Sequence, residues 1–210
     1  MNNKIIHQIF IDINQGKTYL DNPIYKECVE KNKEIHVDFE FKLWDEPLLN
    51  KFVEDKCPQY IEIWNSFPDK FYKIDFGRYL ILLIEGGVYL DLDDIILEPI
   101  NLENEYILGH YTDDKDKTTH CNNIIYYKHK EELRFLIDLM EKRYRTNKMP
   151  NNWRVRKMLS TVGARGFHQI LTKTYKIKPK EYTIKFKTYT TRSWLKFYNK
   201  LITPTSLNLY

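Results

Sequence analysis

The sequence predicts an α/β fold in which helices flank a central sheet that is mixed but mostly parallel. Residues 4–11 form a short apolar run with β-branched side chains, which is typical of a strand. Residues 37–44 alternate apolar and polar side chains and indicate a second strand, and a helix-start pattern lies between the two runs. Because strands joined through a helix lie parallel with a right-handed crossover, this order favours an α/β sheet.

The first two predicted helices have recognisable starts and stops. Asn22 and Pro23 open the first helix, which is predicted to end near residue 33. The second helix is predicted over residues 44–57, and Pro58 stops it because the residue before a proline disfavours the helical conformation.

The strongest helix is predicted over residues 70–85, with Asp69 as its N-cap. Its second half is apolar on nearly all sides, as expected for a helix that is packed deep against a sheet. Gly86 and Gly87 follow, and glycine accepts the positive φ angles that commonly end helices.

Residues 86–94, GGVYLDLDD, are predicted to form the next strand. Strand alternation would place Tyr89, Asp91 and Asp93 on one face, with the two carboxylates about 6.5–7 Å apart. Unpaired charges so close to apolar chain are costly, and a divalent cation carried by a phosphate-bearing substrate would relieve that cost. For these residues alone, a solvated strand end is the alternative.

The rest of the chain continues the α/β pattern without repeats, low-complexity segments or linkers. We therefore expect one domain over residues 1–210. The further elements predicted, in chain order, are an extended piece over 95–99, strands over 106–111 and 123–128, a helix over 130–145, helices over 153–159 and 166–175, and a strand over 182–187.

The net charge of +4 conceals a strong asymmetry along the chain. Residues 1–150 contain 20 Lys/Arg and 28 Asp/Glu, whereas residues 151–210 contain 13 Lys/Arg and a single acid, Glu181. So basic a segment suits a diphosphate, an anionic membrane surface or a nucleic acid, or else it balances the acidic part of the surface.

Cysteine spacing and apolar runs limit the class of protein and its compartment. Cys28, Cys57 and Cys121 lack CxxC spacing, which argues against a disulfide framework and against a zinc site. No apolar run approaches the ~20 residues needed to span a bilayer, and the first residues lack the apolar core of a signal peptide. We therefore expect a soluble, cytoplasmic protein.

Two separated motifs carry a resemblance to a known family. Residues 75–79, DFGRY, followed by residues 86–93, GGVYLDLD, resemble the sugar-nucleotide block of family-32 glycosyltransferases. That family has the Rossmann-like GT-A fold and includes yeast outer-chain α-mannosyltransferases, bacterial polysaccharide enzymes and relatives of clostridial toxin glucosyltransferases. Residues 4–10, KIIHQIF, resemble the start of family members. Weaker matches are Asn122 with Lys128, residues 161–166, and Ser193 with Trp194.

The resemblance implies a metal-dependent, retaining transfer of a hexose or N-acetylhexosamine from a nucleotide-diphosphate sugar, with a UDP-sugar favoured. Asp93 would bind Mn²⁺ or Mg²⁺ directly, and Asp91 would hold the ribose and a metal-bound water. Both ligands are hard oxygen donors that suit such cations. Asp75 and Arg78 would reach the donor sugar and its phosphate, although an ion pair within one helix is the alternative explanation for them.

The remaining implied contacts concern the nucleotide and the acceptor. Phe10 would stack on the base, and the other substrate-binding residues would be Gly87, Tyr89, Asn122, Ser193 and Trp194. The acidic residues 1–150 would bind the nucleotide sugar, and the basic residues 151–210 would close the site over the diphosphate. The expected acceptor is a glycan, a glycolipid or a protein. No nucleic-acid partner is expected. The basic residues 151–210 could also make a peripheral contact with an anionic membrane.

The sequence departs from the family in three places and leaves two alternatives. Phe10 stands where the family has Trp, and residues 161–166 keep a Thr-Gly-Pro segment poorly. Residues 187–192, just before Ser193, lack the histidine that completes the metal site in many members. A nucleotide-sugar-binding relative that has lost turnover is therefore one alternative. The other is a haloacid-dehalogenase-type phosphatase with Asp91 as nucleophile, although Ile95 stands where that motif has Thr.

Overall fold

The computed structural model describes residues 3–11, 18–112, 118–149, 154–179 and 181–189. The strands are β1 (Ile5–Ile9), β2 (Glu40–Trp44), β3 (Val88–Leu90), β4 (Asp94–Ile96), β5 (Tyr106–Thr112), β6 (Thr118–Tyr127) and β7 (Phe186–Thr188). The helices are α1 (Pro23–Ile35), α2 (Glu46–Lys56), α3 (Ile61–Ser66), α4 (Lys70–Glu85), α5 (Lys130–Thr146), α6 (Arg154–Thr161) and α7 (Ala164–Ile170). A π-helical turn over Leu171–Tyr175 continues α7.

The central sheet has five strands in the order β2-β1-β3-β6-β5. β1 is parallel to β2 and to β3, while β6 is antiparallel to β3 and to β5. Four of these strands therefore run in one direction, which confirms the predicted α/β fold with a mixed, mostly parallel sheet. A separate two-stranded antiparallel ribbon joins β4 to β7.

Apolar side chains cover both faces of the sheet, as the residues of β3 show. Val88 and Leu90 belong to one buried cluster, and Tyr89 belongs to the larger cluster on the opposite face. A strand that is buried on both faces is typical of α/β proteins, in which helices pack on each side. None of the helices in the described ranges is both long enough and apolar enough to cross a membrane.

The prediction of one strand over residues 86–94 is wrong. β3 ends at Leu90, and a turn follows in which the amide of Asp94 donates to the carbonyl of Asp91 at 3.2 Å. The chain then leaves the central sheet, because Asp94 pairs with Thr188 of β7 rather than with β6. Asp91 and Asp93 are therefore brought together by a turn and not by strand alternation.

Local signals explain where α4 begins and ends. The side chain of Asp69 accepts a hydrogen bond from the amide of Phe71 at 3.0 Å, as predicted for the N-cap. Gly86 and Gly87 have φ angles of 74° and 76° and turn the chain from α4 into β3. Because this connection is short, β3 runs back along α4, and the end of β3 lies next to Arg78 of that helix.

The two glycines should respond differently to substitution by alanine. Both variants force a side chain into a positive φ angle, which costs about 1–3 kcal/mol. At Gly87 the new Cβ would also lie 2.5 Å from the Ile5 carbonyl oxygen, whereas at Gly86 it meets no atom within 4 Å. We expect Gly87→Ala to lower the free energy of unfolding by about 1–3 kcal/mol more than Gly86→Ala, because overpacking adds to the backbone strain. Equal losses in urea titrations would contradict this account.

His7 is a buried residue of β1 that links three elements. Its Nδ1 accepts a hydrogen bond from Trp44 Nε1 at 3.2 Å, and its Nε2 lies 3.0 Å from the Gly86 carbonyl oxygen and donates to it. These two bonds require the neutral ring with its proton on Nε2. Burial lowers the pKa of His7 to about 4, and the bond to Gly86 opposes this shift only in part.

The stability advantage of His7 should fall as the pH is lowered. In the unfolded chain histidine binds a proton below its ordinary pKa of ~6.5, whereas native His7 stays neutral down to a pKa of about 4. The wild type therefore loses stability across this window, and a His7→Gln variant does not. We expect the difference in unfolding free energy between the two proteins to shrink by about 2 kcal/mol from pH 7 to pH 5. Urea titrations at both pH values measure it, and a constant difference would refute the assignment.

Candidate active site

Three carboxylates converge where β3 leaves the central sheet. Asp91 follows the last residue of β3, Asp93 lies in the turn, and Asp94 begins β4. One oxygen from each lies within 4.8 Å of the others. Part of this cluster was predicted from the Asp-x-Asp pattern, but the third member, Asp94, was not.

Asp94 anchors the turn to three other elements. Its side chain is buried and accepts hydrogen bonds from Thr188 Oγ1 of β7 and from Asn123 Nδ2 of β6, the latter at 2.8 Å. Its backbone carbonyl accepts from Asn32 Nδ2 of α1 at 2.8 Å. Gly109 makes room for this arrangement, because a Cβ there would overlap Asn123 Oδ1. The shape of the aspartate turn therefore depends on residues far away in the sequence.

The β7 end of the ribbon is bound to the same turn through its backbone. The amide of Tyr189 donates to the carbonyl of Asp93 at 2.9 Å. Together with the bond between Thr188 and Asp94, this contact holds residues just before position 190 beside the carboxylates. The predicted residues Ser193 and Trp194 lie outside the described residues.

Arg78 of α4 connects this helix to the carboxylate of Asp91 at the end of β3. Its Nη2 lies 2.8 Å from Asp75 Oδ1, and its Nη1 lies 3.5 Å from Asp91 Oδ1. The guanidinium also stacks over the ring of Tyr89 at 4.7 Å and donates to the carbonyl of Asn122. Only 5% of the Arg78 side chain is exposed, so this cation holds Asp75 and Asp91 in place. Contact of Asp75 and Arg78 with the donor sugar stays a prediction.

Tyr89 and Asn122 donate hydrogen bonds to the same two carboxylates, those of Asp91 and Asp75. The hydroxyl of Tyr89, a residue that is 1% exposed, donates to Asp91 Oδ1 at 2.7 Å. Asn122 Nδ2 donates to Asp75 Oδ1 at 3.0 Å and to the hydroxyl of Tyr79 at 3.1 Å. Tyr89 therefore contacts Asp91, and Asn122 contacts Asp75, while the predicted binding of substrate by both residues stays a prediction.

The electrostatics of the cluster favour a cation. Burial, reinforced by the charges of Asp91 and Asp93, raises the pKa of Asp94 to about 8. Burial also raises the pKa of Asp91, although Arg78 and the Tyr89 hydroxyl oppose the shift. The pKa of Asp75 rises to about 6 because of burial, against the effect of Arg78. Carboxylates that resist ionisation together are stabilised by a positive charge between them.

The residues present fit a hard divalent cation such as Mn²⁺ or Mg²⁺. Carboxylate oxygens are the donors that these ions prefer, and Asp91, Asp93 and Asp94 offer three of them in one turn. Within the described residues, no other group of His, Cys, Asp and Glu side chains comes together in this way. Asp94 offers a third protein ligand in place of the histidine that the family resemblance led us to expect.

Two aromatic rings lie beside the carboxylates. Phe10, at the end of β1, meets Tyr25 of α1 edge-on with ring centroids 6.4 Å apart. Burial raises the pKa of the Tyr25 hydroxyl, and the charges of Asp93 and Asp91 raise it further, which places this ring next to the turn. Phe10 contacts the turn region through Tyr25, and its stacking on a base stays a prediction.

Sequence reasoning and structure differ over several site residues. Gly87 packs closely against Ile5 of β1, and its predicted contact with substrate stays a prediction. Asn123, Thr188 and Tyr25 were missed, because no local pattern connects them to the aspartates. Asp94 could have been found, since it directly follows the motif in the sequence.

Residues 23–113 match the model of a family described as a glycosyltransferase sugar-binding region containing a DXD motif. The matched segment contains α4 with Asp75 and Arg78, the aspartate turn and both glycines. The predicted resemblance to DXD-containing glycosyltransferases is thus confirmed over the segment that carries the site.

Individual relatives agree with this class of protein. An uncharacterized glycosyltransferase of Acanthamoeba polyphaga mimivirus is 36% identical over 90 residues, which cover 42% of this chain and 34% of that protein. Inositol phosphoceramide mannosyltransferase 3 of Schizosaccharomyces pombe is 33% identical over 93 residues, which cover 43% of this chain and 24% of that protein. The aligned part therefore spans only 34% and 24% of the length of these two relatives.

A solved structure extends the likeness beyond the matched segment. The PaToxG glycosyltransferase superposes with a TM-score of 0.53 over 82% of this chain and 69% of that chain, at 16% sequence identity. At this identity the likeness concerns the fold, and it confirms the predicted GT-A type of architecture.

Proposed function

We propose that the chain is a metal-dependent glycosyltransferase that moves a hexose or N-acetylhexosamine from a nucleotide-diphosphate sugar to an acceptor hydroxyl. The observation that carries this proposal is the meeting of Asp91, Asp93 and Asp94 in one turn, inside a segment that matches a DXD-containing family. Three oxygen donors at the end of a buried strand suit a cation that is shared with a diphosphate.

The proposed roles follow from the contacts of each side chain. Asp93 and Asp91 would hold Mn²⁺ or Mg²⁺, which supplies Lewis-acid stabilisation of the departing diphosphate when bound. Asp91 is oriented by Tyr89 and Arg78, and Asp75 is oriented by Arg78 and Asn122. Phe10 and Tyr25 would border the nucleotide base, because they lie beside the turn.

We propose the retaining course that the family resemblance implies. The acceptor oxygen bonds to the anomeric carbon on the face from which the diphosphate leaves, while the bond between that carbon and the phosphate oxygen breaks. The acceptor proton passes to the departing phosphate oxygen, so the step is balanced without a separate protein base. Glycans, glycolipids and proteins are all possible acceptors, and the name of the ceramide relative favours a lipid.

A donor panel with and without metal tests the proposal. UDP- and GDP-sugars should be added to the purified protein with Mn²⁺ or with a chelator, and the melting temperature recorded. One donor at ~100 times its dissociation constant should stabilise the protein by about 2.7 kcal/mol, but only with the metal. For a chain of this length that corresponds to roughly 5–10 °C. No shift with any donor would overturn the proposal.

Turnover separates this function from its alternatives. Slow, metal-dependent hydrolysis of the stabilising donor supports a transferase, whereas binding without hydrolysis over long incubation supports a module that has lost turnover. Release of phosphate from p-nitrophenyl phosphate that depends on Asp91 would support the phosphatase reading. The family match favours the transferase over the phosphatase.

A further inference from the structure

Residues 142–180, hereafter the basic run, contain twelve Lys and Arg residues and no Asp or Glu. In the preceding part of the chain, lysines find acidic partners within the same region. Such pairs are Lys4–Asp38, Lys31–Glu27, Lys51–Asp55, Lys70–Glu46 and Lys128–Glu103. The basic run cannot neutralise itself, because it contains no carboxylate side chain.

The described parts of the basic run, residues 142–149 and 154–179, pack against one another. The ammonium group of Lys157 in α6 lies 4.8 Å from the ring of Tyr144 in α5. Arg143 Nη1 of α5 donates to the carbonyl of Gly166 in α7 at 3.1 Å. The end of α5, α6 and α7 are therefore in contact with one another. The exposed cations of these elements and of the π-helical turn after α7 are hereafter called the layer.

This layer begins beside the candidate active site. Gly163 lies between α6 and α7, and a Cβ there would be 2.8 Å from Asp75 Oδ2. From that point α7 and its π-helical turn lead to Lys173, Lys176 and Lys178. A partner that covers the layer would therefore lie near the proposed site of transfer.

Most cations of the layer are exposed. The exposed ones among the residues whose side chains are described are Lys142, Arg145, Lys148, Arg156, Arg165, Lys173, Lys176 and Lys178. Arg145 pairs with Glu62 and Glu141, which both lie outside the basic run. Within the described residues, no ion pair joins the ammonium groups of Lys173, Lys176 or Lys178 to a carboxylate, and the Glu181 carboxylate accepts only from the Lys178 backbone amide at 2.9 Å. Like charges held together repel one another, and an anionic partner relieves that repulsion.

An exposed aromatic side chain, Phe135, contacts the π-helical turn that contains Lys173. Phe135 of α5 is 50% exposed, and its ring meets Tyr175 edge-on with centroids 6.3 Å apart. Tyr175 lies between Lys173 and Lys176 in the sequence. Lysines near lipid phosphates, with aromatic rings at the level of the head groups, are the combination that binds protein surfaces to anionic bilayers.

We propose that the exposed cations in the described parts of the basic run, together with Phe135, dock the protein on an anionic lipid bilayer. The inference rests on the proposed function, because a transferase with a lipid acceptor meets its substrate at such a surface. A bilayer is favoured over a nucleic acid because the ceramide relative takes a lipid by its printed name. Docking through this layer would bring the membrane surface next to Asp75 and the aspartate turn.

Vesicle flotation with two matched variants tests this surface. Phosphatidylcholine vesicles with about 30% phosphatidylserine should bind the protein, pure phosphatidylcholine vesicles should not, and ~0.5 M NaCl should release it. Lys173→Glu/Lys176→Glu should weaken binding by roughly tenfold or more, because each lysine near the surface contributes about fivefold. Lys26→Glu/Lys56→Glu changes the net charge equally at exposed positions outside the basic run and should bind like the wild type.

The outcomes separate this inference from its alternatives and from the proposed function. Equal losses in both variants, binding to neutral vesicles, or no binding would overturn the docking surface. Tighter binding to a duplex oligonucleotide than to the anionic vesicles would also overturn it, in favour of a nucleic acid. The donor-dependent melting shift should stay unchanged in Lys26→Glu/Lys56→Glu. If that shift is absent from the wild type, the proposed function fails, whereas vesicle binding can still be scored independently.

Discussion

Replacing Asp93 with Asn should abolish the metal-dependent stabilisation by the donor and lower donor turnover by about 10³-fold. Asp93 is proposed to bind the cation directly, and the loss of several kcal/mol of charge stabilisation at the diphosphate corresponds to a factor of this size. The measurements are the melting temperature with donor and Mn²⁺ and the rate of donor hydrolysis, each compared with the wild type.

The metal-free Asp93→Asn protein should melt at the same temperature as the wild type or at a higher one. Its backbone bond to Tyr189 is kept, and one of three mutually repelling carboxylates is removed. A structural residue would show the opposite sign. Asp55→Asn, which removes only an exposed pair with Lys51, serves as the control and should leave both donor binding and hydrolysis unchanged. A variant at Asp93 with normal metal-dependent binding would remove this residue from the site.

Elements specified by neighbouring residues could be predicted from the sequence. α4 has its cap at Asp69 and its stop at Gly86, and both signals lie within the segment itself. The parallel pairing of β1 with β2 follows from the helix between them. The spacing of Asp75 and Arg78 left an ion pair within one helix as the alternative to donor binding, and the structure contains that contact at 2.8 Å.

The aspartate turn could not be predicted, because its cause lies elsewhere in the chain. Alternation in residues 88–93 fits a continuing strand, and nothing local opposes that interpretation. The strand ends because Asp94 finds Thr188, Asn123 and the side chain of Asn32 in the folded protein. Tertiary contacts of this kind override local preference, which is weak for short strands. The same reason explains why Tyr25 was missed.

The link between Arg78 and Asp91 is the tertiary contact with the largest expected effect on stability. Arg78→Met should lower the free energy of unfolding by about 3–5 kcal/mol, because it leaves Asp75 and Asp91 without their buried cation. For a chain of this length the melting temperature should fall by about 10 °C. Arg145→Met is a matched control. Arg145 is 42% exposed where it pairs with Glu62, so its loss should cost at most about 1 kcal/mol.

A double-mutant cycle identifies the cause of the loss at Arg78. Asp75→Asn removes the buried charge while its side-chain oxygen still accepts from Asn122 Nδ2. The double variant Asp75→Asn/Arg78→Met should therefore be more stable than Arg78→Met alone, with a coupling energy of about 1–3 kcal/mol. Asp91 keeps the Tyr89 hydroxyl and is 30% exposed, so solvent can take over part of the role of Arg78 there. Additive losses in the cycle would mean that Arg78 stabilises the protein through packing on Tyr89 and not through the charge of Asp75.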